Sequence, residues 1–140
     1  MKLEVFVWLL AHILTISSIL IFRNQFSLTN SLMIIAFILL ILGTIVLFIS
    51  LINLGKYYTP SPIPKGLVTK GIYSKVRHPI YLSLEILFIG LSLLFKSLVG
   101  LLLTVLLIIP FHLYRKRKEE KLMLEKFGKQ YIEYKKRTWF

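Results

Sequence analysis

Four apolar stretches, at 5–22, 32–52, 80–95 and 98–113, dominate this 140-residue chain and leave it few ways to fold. A helix needs about 20 residues to cross a hydrocarbon core about 30 Å thick. The first two stretches meet that length. The last two are shorter and are joined by Lys96-Ser97, so they read as a helical hairpin whose ends return to one side. Between the second and third stretches lies a polar loop, 53–79. Its run Thr59-Pro60-Ser61-Pro62-Ile63-Pro64 resists helix, because proline lacks an N–H and biases its predecessor to extended backbone. Beyond 113 a basic tail carries Glu120, Leu124, Phe127, Tyr131 and Tyr134 at helical spacing, which predicts an amphipathic helix over 114–137. The expected architecture is all-α. One membrane domain, 1–140, holds four transmembrane helices and a C-terminal amphipathic helix at the membrane surface.

Charge sets the expected orientation. With four crossings, 16 of the 18 Lys and Arg residues fall on the side that holds Lys2, the loop and the tail; only Arg23 and Lys96 fall on the other. Cations concentrate on the cytosolic face of membrane proteins, so loop 53–79 and both termini are expected in the cytosol. The net charge of +12 accompanies 56% hydrophobic residues, which excludes a soluble nucleic-acid binder. The first 22 residues end without a small-residue cleavage site and are expected to remain as a helix. There is no cysteine, so disulfides, thiolate metal sites and cysteine catalysis are excluded. The three histidines stand apart with no partner at ligand spacing, so no metal site is expected.

The hairpin brings distant polar clusters together. If the turn centres between Lys96 and Ser97, His78 lies level with Arg115 and Tyr81 with His112, while Tyr73 lies near the height of Glu120. Pro79 suits a first helical position, and the free N–H groups there attract anions. Arg77 and His78 stand beside that start, so a ligand carboxylate is a reasonable guest. Glu85 lies at i+4 from Tyr81 on the same face; an ionisable group inside a membrane helix is costly, which makes it a functional candidate. It is placed in an acceptor pocket, where His112 is expected to hydrogen-bond Tyr81. Pro110 is expected to bend the fourth helix. Gly43 and Gly90 read as close helix contacts, and His12 as a packing or helix–helix contact.

The string Gly71-Ile72-Tyr73-Ser74-Lys75-Val76-Arg77-His78-Pro79-Ile80-Tyr81, followed by Glu119-Glu120, Phe127-Gly128, Tyr131 and Tyr134, resembles the signature of the isoprenylcysteine carboxyl methyltransferase and phospholipid methyltransferase superfamily. The similarity runs from about Asn53 to Arg137. It implies S-adenosylmethionine as cofactor, enclosed without a Rossmann domain, and the sequence carries no G-x-G-x-x-G after a strand. It further implies that Leu67, Val68, Gly71, Tyr73, His78, Pro79 and Tyr81 line the cofactor and that Glu119 and Glu120 close the pocket. In the carboxyl-methylating branch an arginine just before the glutamate pair binds the substrate carboxylate; Arg115 and Arg117 both qualify. The resemblance therefore implies a membrane methyltransferase acting on a lipophilic acceptor, most simply a prenylcysteine-like carboxylate, with membrane lipids as surroundings and no nucleic acid. A four-helix transporter subunit using Glu85 is the rival reading. A non-enzymatic module with a polybasic, lipid-binding tail is a third.

Overall fold

The computed structural model describes residues 2–139. Among them the chain is helical, with no strand; one isolated bridge joins Val76 to Trp139. Helix α1 spans Lys2–Ile21 and α2 spans Asn30–Leu54, opened by Thr29, whose hydroxyl accepts from the Leu32 N–H. A 3-10 turn, Gly55–Tyr57, leads into the loop, and a second, Gly71–Ser74, ends it. Helix α3 spans Pro79–Leu94, with Pro79 in the first turn as its missing N–H predicts. Helix α4, Leu98–Leu103, passes through a π turn at Thr104–Ile108 into α5, Ile109–Phe127, and α6 covers Lys129–Arg137.

Three of these helical stretches, Leu3–Ile21, Asn30–Tyr57 and Leu98–Phe127, are long and apolar enough to cross a membrane. Helix α3 is apolar with 16 residues, about 24 Å of helix, the short hairpin arm expected from its sequence. Its hairpin with α4 is nonetheless tight. Ser97 caps α4 by accepting from Gly100 N, and the backbone N–H of Ser97 reaches back to Ser92 O. Helix α3 packs along α2, where Gly43 lies against Leu87 and Gly90 against Leu40; the missing side chains let the helices approach.

Two sequence expectations require correction. The fourth stretch does not stop at 113. It continues unbroken to Phe127, so the basic segment from Arg115 onward is the outward extension of a membrane helix. The single tail helix over 114–137 is also divided. Gly128, at φ 50°, breaks it, and α6 turns back to pack Tyr131 and Tyr134 in the interior. The π turn sits immediately before Pro110, the residue expected to disturb this helix: a proline there offers no N–H to the carbonyl one turn back, and the wider turn absorbs that loss. The terminal residues Met1 and Phe140 lie outside the described residues.

Candidate active site

At the end of the bundle where the polar loop meets α5, a cleft opens to solvent. One wall is the proline-rich segment 57–66. The other holds Tyr73, Arg77, His78, Pro79 and Tyr81 from the end of the loop and the start of α3, and Arg115, Glu119 and Met123 from α5. Trp8 of α1 forms part of the floor. The hairpin register expected from sequence is present: His78 and Arg115 line the same cleft, and the Tyr81 and His112 rings lie 4.8 Å apart.

The local sequence explains these positions. Gly71 has φ 59°, and a Cβ there would collide with the Asn53 side chain, so glycine sets how closely the loop returns to α2. The 3-10 turn that follows buries Tyr73, whose carbonyl accepts from the Tyr134 hydroxyl at 2.7 Å. Burial, then the proximity of Tyr134, pushes the Tyr73 phenol well above its ordinary value. Burial likewise raises Tyr134, to about 12. Both therefore act as neutral hydrogen-bonding groups at physiological pH.

The twin glutamates divide their work. Glu120 accepts from Arg77 Nε at 2.9 Å and from Lys135 Nζ at 2.7 Å, and lies 3.4 Å from His78 Nε2. Arg77 also donates to the carbonyl of Thr138 at 3.2 Å, fastening the end of α6 to the loop. Glu119 faces the cleft. It accepts from the Tyr81 hydroxyl at 2.5 Å and lies 3.6 Å from His78 Nδ1. For His78, burial works against the charged ring, but the adjacent Glu119 and Glu120 outweigh it and hold its pKa above the ordinary histidine value. His78 Nε2 is buried with no hydrogen bond of adequate geometry, although Glu120 is near enough for an ion pair.

Arg115 and Arg117, equivalent by sequence, are separated by structure. Arg117 is exposed and lines no cavity described here. Arg115 is only 5% exposed. Its Nε donates to the Tyr81 hydroxyl at 3.1 Å, its Nη2 donates to the Pro60 carbonyl, and its guanidinium lies 5.2 Å from the centre of the Trp8 ring. Its Nη1 is buried and has no partner. A free guanidinium N–H of this kind is suited to an anionic guest.

Other expected site residues stand back from the cleft. Leu67, Val68, Gly71 and Glu120 support it without lining it. His112 does not hydrogen-bond Tyr81. It is fully buried, contacts that ring face, and instead meets Glu85 Oε1 at 3.1 Å and His12 Nε2 at 3.2 Å. His12 Nδ1 donates to the Trp8 carbonyl at 2.7 Å, which leaves its Nε2 an acceptor, so a hydrogen bond between the two Nε2 atoms needs one further proton on the Glu85–His112–His12 chain. Glu85 also accepts from Lys116 at 3.1 Å, so the acid inside the hairpin is paired rather than exposed to an acceptor pocket. His12 is likewise part of this chain, and its contact with His112 is the helix–helix contact expected of it. The contributions of Trp8 and His12 were missed from sequence, although Glu4, Trp8, His12 and Thr15 recur at helical spacing and mark one polar face on an otherwise apolar helix. Among the described residues no group of three metal-ligating side chains converges.

The family described as phospholipid methyltransferase matches residues 31–130. Two curated relatives are similar over 72 residues, each alignment covering 51% of this chain: the protein-S-isoprenylcysteine O-methyltransferase of Saccharomyces cerevisiae, 39% identical, and that of Schizosaccharomyces pombe, 38% identical. The aligned part spans 30% of the length of each relative. Every residue lining the cleft except Trp8 lies inside the family-matched segment, and with most of its length so matched the chain belongs to the phospholipid methyltransferase family.

Proposed function

We propose that the chain is an integral membrane methyltransferase that uses S-adenosylmethionine in the cleft at the cytosolic end of the bundle and methylates the carboxylate of a lipophilic, prenylcysteine-like acceptor. The observation that carries this reading is the convergence of Glu119, His78 and an underused Arg115 on one solvent-open cleft. The cleft suits the cofactor in two ways. Glu119 can accept from an ammonium or from ribose hydroxyls. His78 and the free N–H groups of the first turn of α3 favour a carboxylate. The relatives named as isoprenylcysteine O-methyltransferases support a carboxylate acceptor, as does Arg115.

S-adenosylmethionine supplies an electrophilic methyl group on a sulfonium. The chain itself has to place an acceptor oxygen in line with that methyl and exclude water. When bound, the cofactor would supply the methyl for the new O–CH3 bond as its S–CH3 bond broke, the electron pair remaining on sulfur. An ionised carboxylate gives up no proton, so no general base is needed. Arg115 Nη1 would hold one carboxylate oxygen, while Tyr81 and Trp8 hold the guanidinium. An amine acceptor would meet a guanidinium with no acceptor atom to offer. Positioning of this kind can supply about 7–11 kcal/mol of the barrier. The pairing of Glu85 with His112 and Lys116, away from the cleft, removes the main motive for the transporter reading.

Calorimetric titration of S-adenosylmethionine into the purified protein tests the proposal. Wild type should bind saturably, His78→Ala should not, and Glu119→Gln should bind about tenfold more weakly, equivalent to ~1.4 kcal/mol. Absence of binding by wild type in detergent and in lipid discs alike would end this reading.

A further inference from the structure

Behind the cleft, side chains from three helices form a line of hydrogen bonds inside the bundle. His12 of α1 and His112 of α5 face each other with their Nε2 atoms 3.2 Å apart. His112 Nδ1 lies 3.1 Å from Glu85 Oε1 of α3, and His12 Nδ1 donates to the Trp8 carbonyl at 2.7 Å. Both imidazoles are buried. Each of these three junctions needs a proton between its two atoms. Two neutral imidazoles and a carboxylate carry only two. With two protons one junction always fails: two bare Nε2 lone pairs oppose each other, or a bare Nδ1 opposes the Trp8 carbonyl or the Glu85 carboxylate. With three, every junction is made. The third proton then lies between Glu85 and His112, and the line is neutral overall whichever of the two holds it. That suits a buried site, where burial and the nearby Lys116 and Arg115 of α5 all oppose an isolated imidazolium. Ionisable groups inside a membrane bundle pair in this way and mark functional positions.

The two imidazoles also carry the aromatic floor of the cleft. The Trp8 ring packs on His12 with centroids 4.4 Å apart, and the Tyr81 ring packs on His112 at 4.8 Å. Trp8 and Tyr81 in turn hold Arg115, one beneath its guanidinium and the other through its hydroxyl. The Tyr81 hydroxyl also donates to Glu119. We infer that a third proton on the Glu85–His112–His12 line locks α1 to the α3–α5 hairpin, and that His12 and His112 are thereby positioning residues for the cleft; what the cleft binds rests on the methyl-transfer reading above. The lock sets Trp8 and Tyr81 in register on either side of Arg115. Without it the two Nε2 atoms repel, α1 moves away from α5 at the level of Trp8, and the support of Arg115 and Glu119 loosens. The Glu4–Lys118 ion pair joins the same two helices, but its side chains are 34% and 37% exposed, and exposed pairs contribute little. His12 lies outside the family-matched segment, so the lock is supplied by this chain's own first helix.

The chain has three histidines, so ring-nitrogen spectra are readily assigned. Magic-angle-spinning NMR of the full chain, labelled with isotopic nitrogen at histidine and held in phosphatidylcholine bilayers at neutral pH, reads the proton count directly. Wild type should show a nitrogen–nitrogen coupling across the bond between the His12 and His112 Nε2 atoms, together with a strongly deshielded proton at His112 Nδ1. Absence of the coupling, or the coupling without that proton, would overturn the proposal. Two variants then test the positioning role. A glutamine amide at position 12 can donate to or accept from His112 Nε2, so His12→Gln needs no third proton and should keep S-adenosylmethionine affinity within about twofold of wild type. His12→Leu fills the space without a hydrogen bond and should weaken that affinity about tenfold. It should also shift Trp8 emission in Trp139→Phe protein, where Trp8 is the sole tryptophan. Wild-type affinity in His12→Leu, or an equal loss in both variants, would show that the hydrogen bond does not position the cleft. The two claims separate: coupled histidines without cofactor binding by wild type remove the methyl-transfer reading alone, and cofactor binding with uncoupled histidines removes the proton lock alone.

Discussion

Glu119 and Glu120 are neighbours on α5, yet a helix turns about 100° between them, and they meet different partners. Glu120 is held by Arg77 and Lys135, which belong to the loop and to α6. Glu119 is held by Tyr81 and looks into the cleft. Their substitutions should therefore separate. Glu120→Gln should lower thermal stability, by about 1–2 kcal/mol after allowance for solvent screening, because Arg77 loses a charged partner; S-adenosylmethionine affinity should change little at temperatures where the protein is folded. Glu119→Gln should do the reverse. Thermal melts and titrations of both variants check this, and a loss of affinity confined to Glu120→Gln would exchange their roles. His78 adds a pH dependence. Its pKa is raised in the folded protein, so its pairing with the glutamates contributes fully below the ordinary histidine value, about 6.5, and is lost as pH rises through the raised folded value. Wild-type melting temperature should fall across that alkaline limb, and His78→Gln should lack the fall. The meeting of the His78 corner and the glutamate pair at one end of the bundle was legible in sequence from the hairpin register. The division of labour was not, because it depends on where α6 places Lys135, and that follows from a turn at Gly128.

At the scale of elements, two glycines with positive φ test how the loop and tail are set. Gly128 at φ 50° has open space around its Cα, so Gly128→Ala should cost only the left-handed strain, about 1–2 kcal/mol. Gly71 at φ 59° faces Asn53, so Gly71→Ala adds a collision to the same strain and should cost more. Asn53→Ala in the Gly71→Ala background should recover the collision and leave the strain. Denaturation midpoints of the four proteins measure the difference; equal cost for the two single variants would mean that Asn53 yields freely. The close contacts of Gly43 and Gly90 were readable as small residues on apolar helices. The α5–α6 break was harder to read. Phe127, Tyr131 and Tyr134 keep a 3.6-residue rhythm across it, and that rhythm is what suggested one helix. Periodicity reports which residues are buried, and a helix that reverses at a glycine can bury the same residues against a different surface. The contribution of α1 was obscured for another reason: a single Trp and His on a membrane helix are common as packing residues, and only the fold brings them under Arg115 and His112.

At the scale of the whole molecule, the proposed function depends on which end of the bundle faces the cytosol. The cleft, the loop and the outward part of α5 share one end, and that end carries nearly all the positive charge. Juxtamembrane cations are attracted to an anionic inner leaflet by about 1 kcal/mol each near the surface, so the proposed orientation would hold the cleft against that leaflet. The cofactor proposed for the cleft is polar and charged, and it has to arrive from water on that side. An inverted chain would present the cleft to the wrong compartment even with every residue in place. The absence of cysteine makes the orientation directly measurable, because a single introduced thiol is the only one to label. Thr69 lies exposed on the cleft-side loop, and Ser27 lies exposed in the turn between α1 and α2 at the opposite end. In intact cells a membrane-impermeant maleimide should modify Ser27→Cys and spare Thr69→Cys. In inside-out vesicles the pattern should reverse. Labelling of Thr69→Cys from outside intact cells would place the cleft away from its cofactor, and the methyl-transfer reading would fail with the topology.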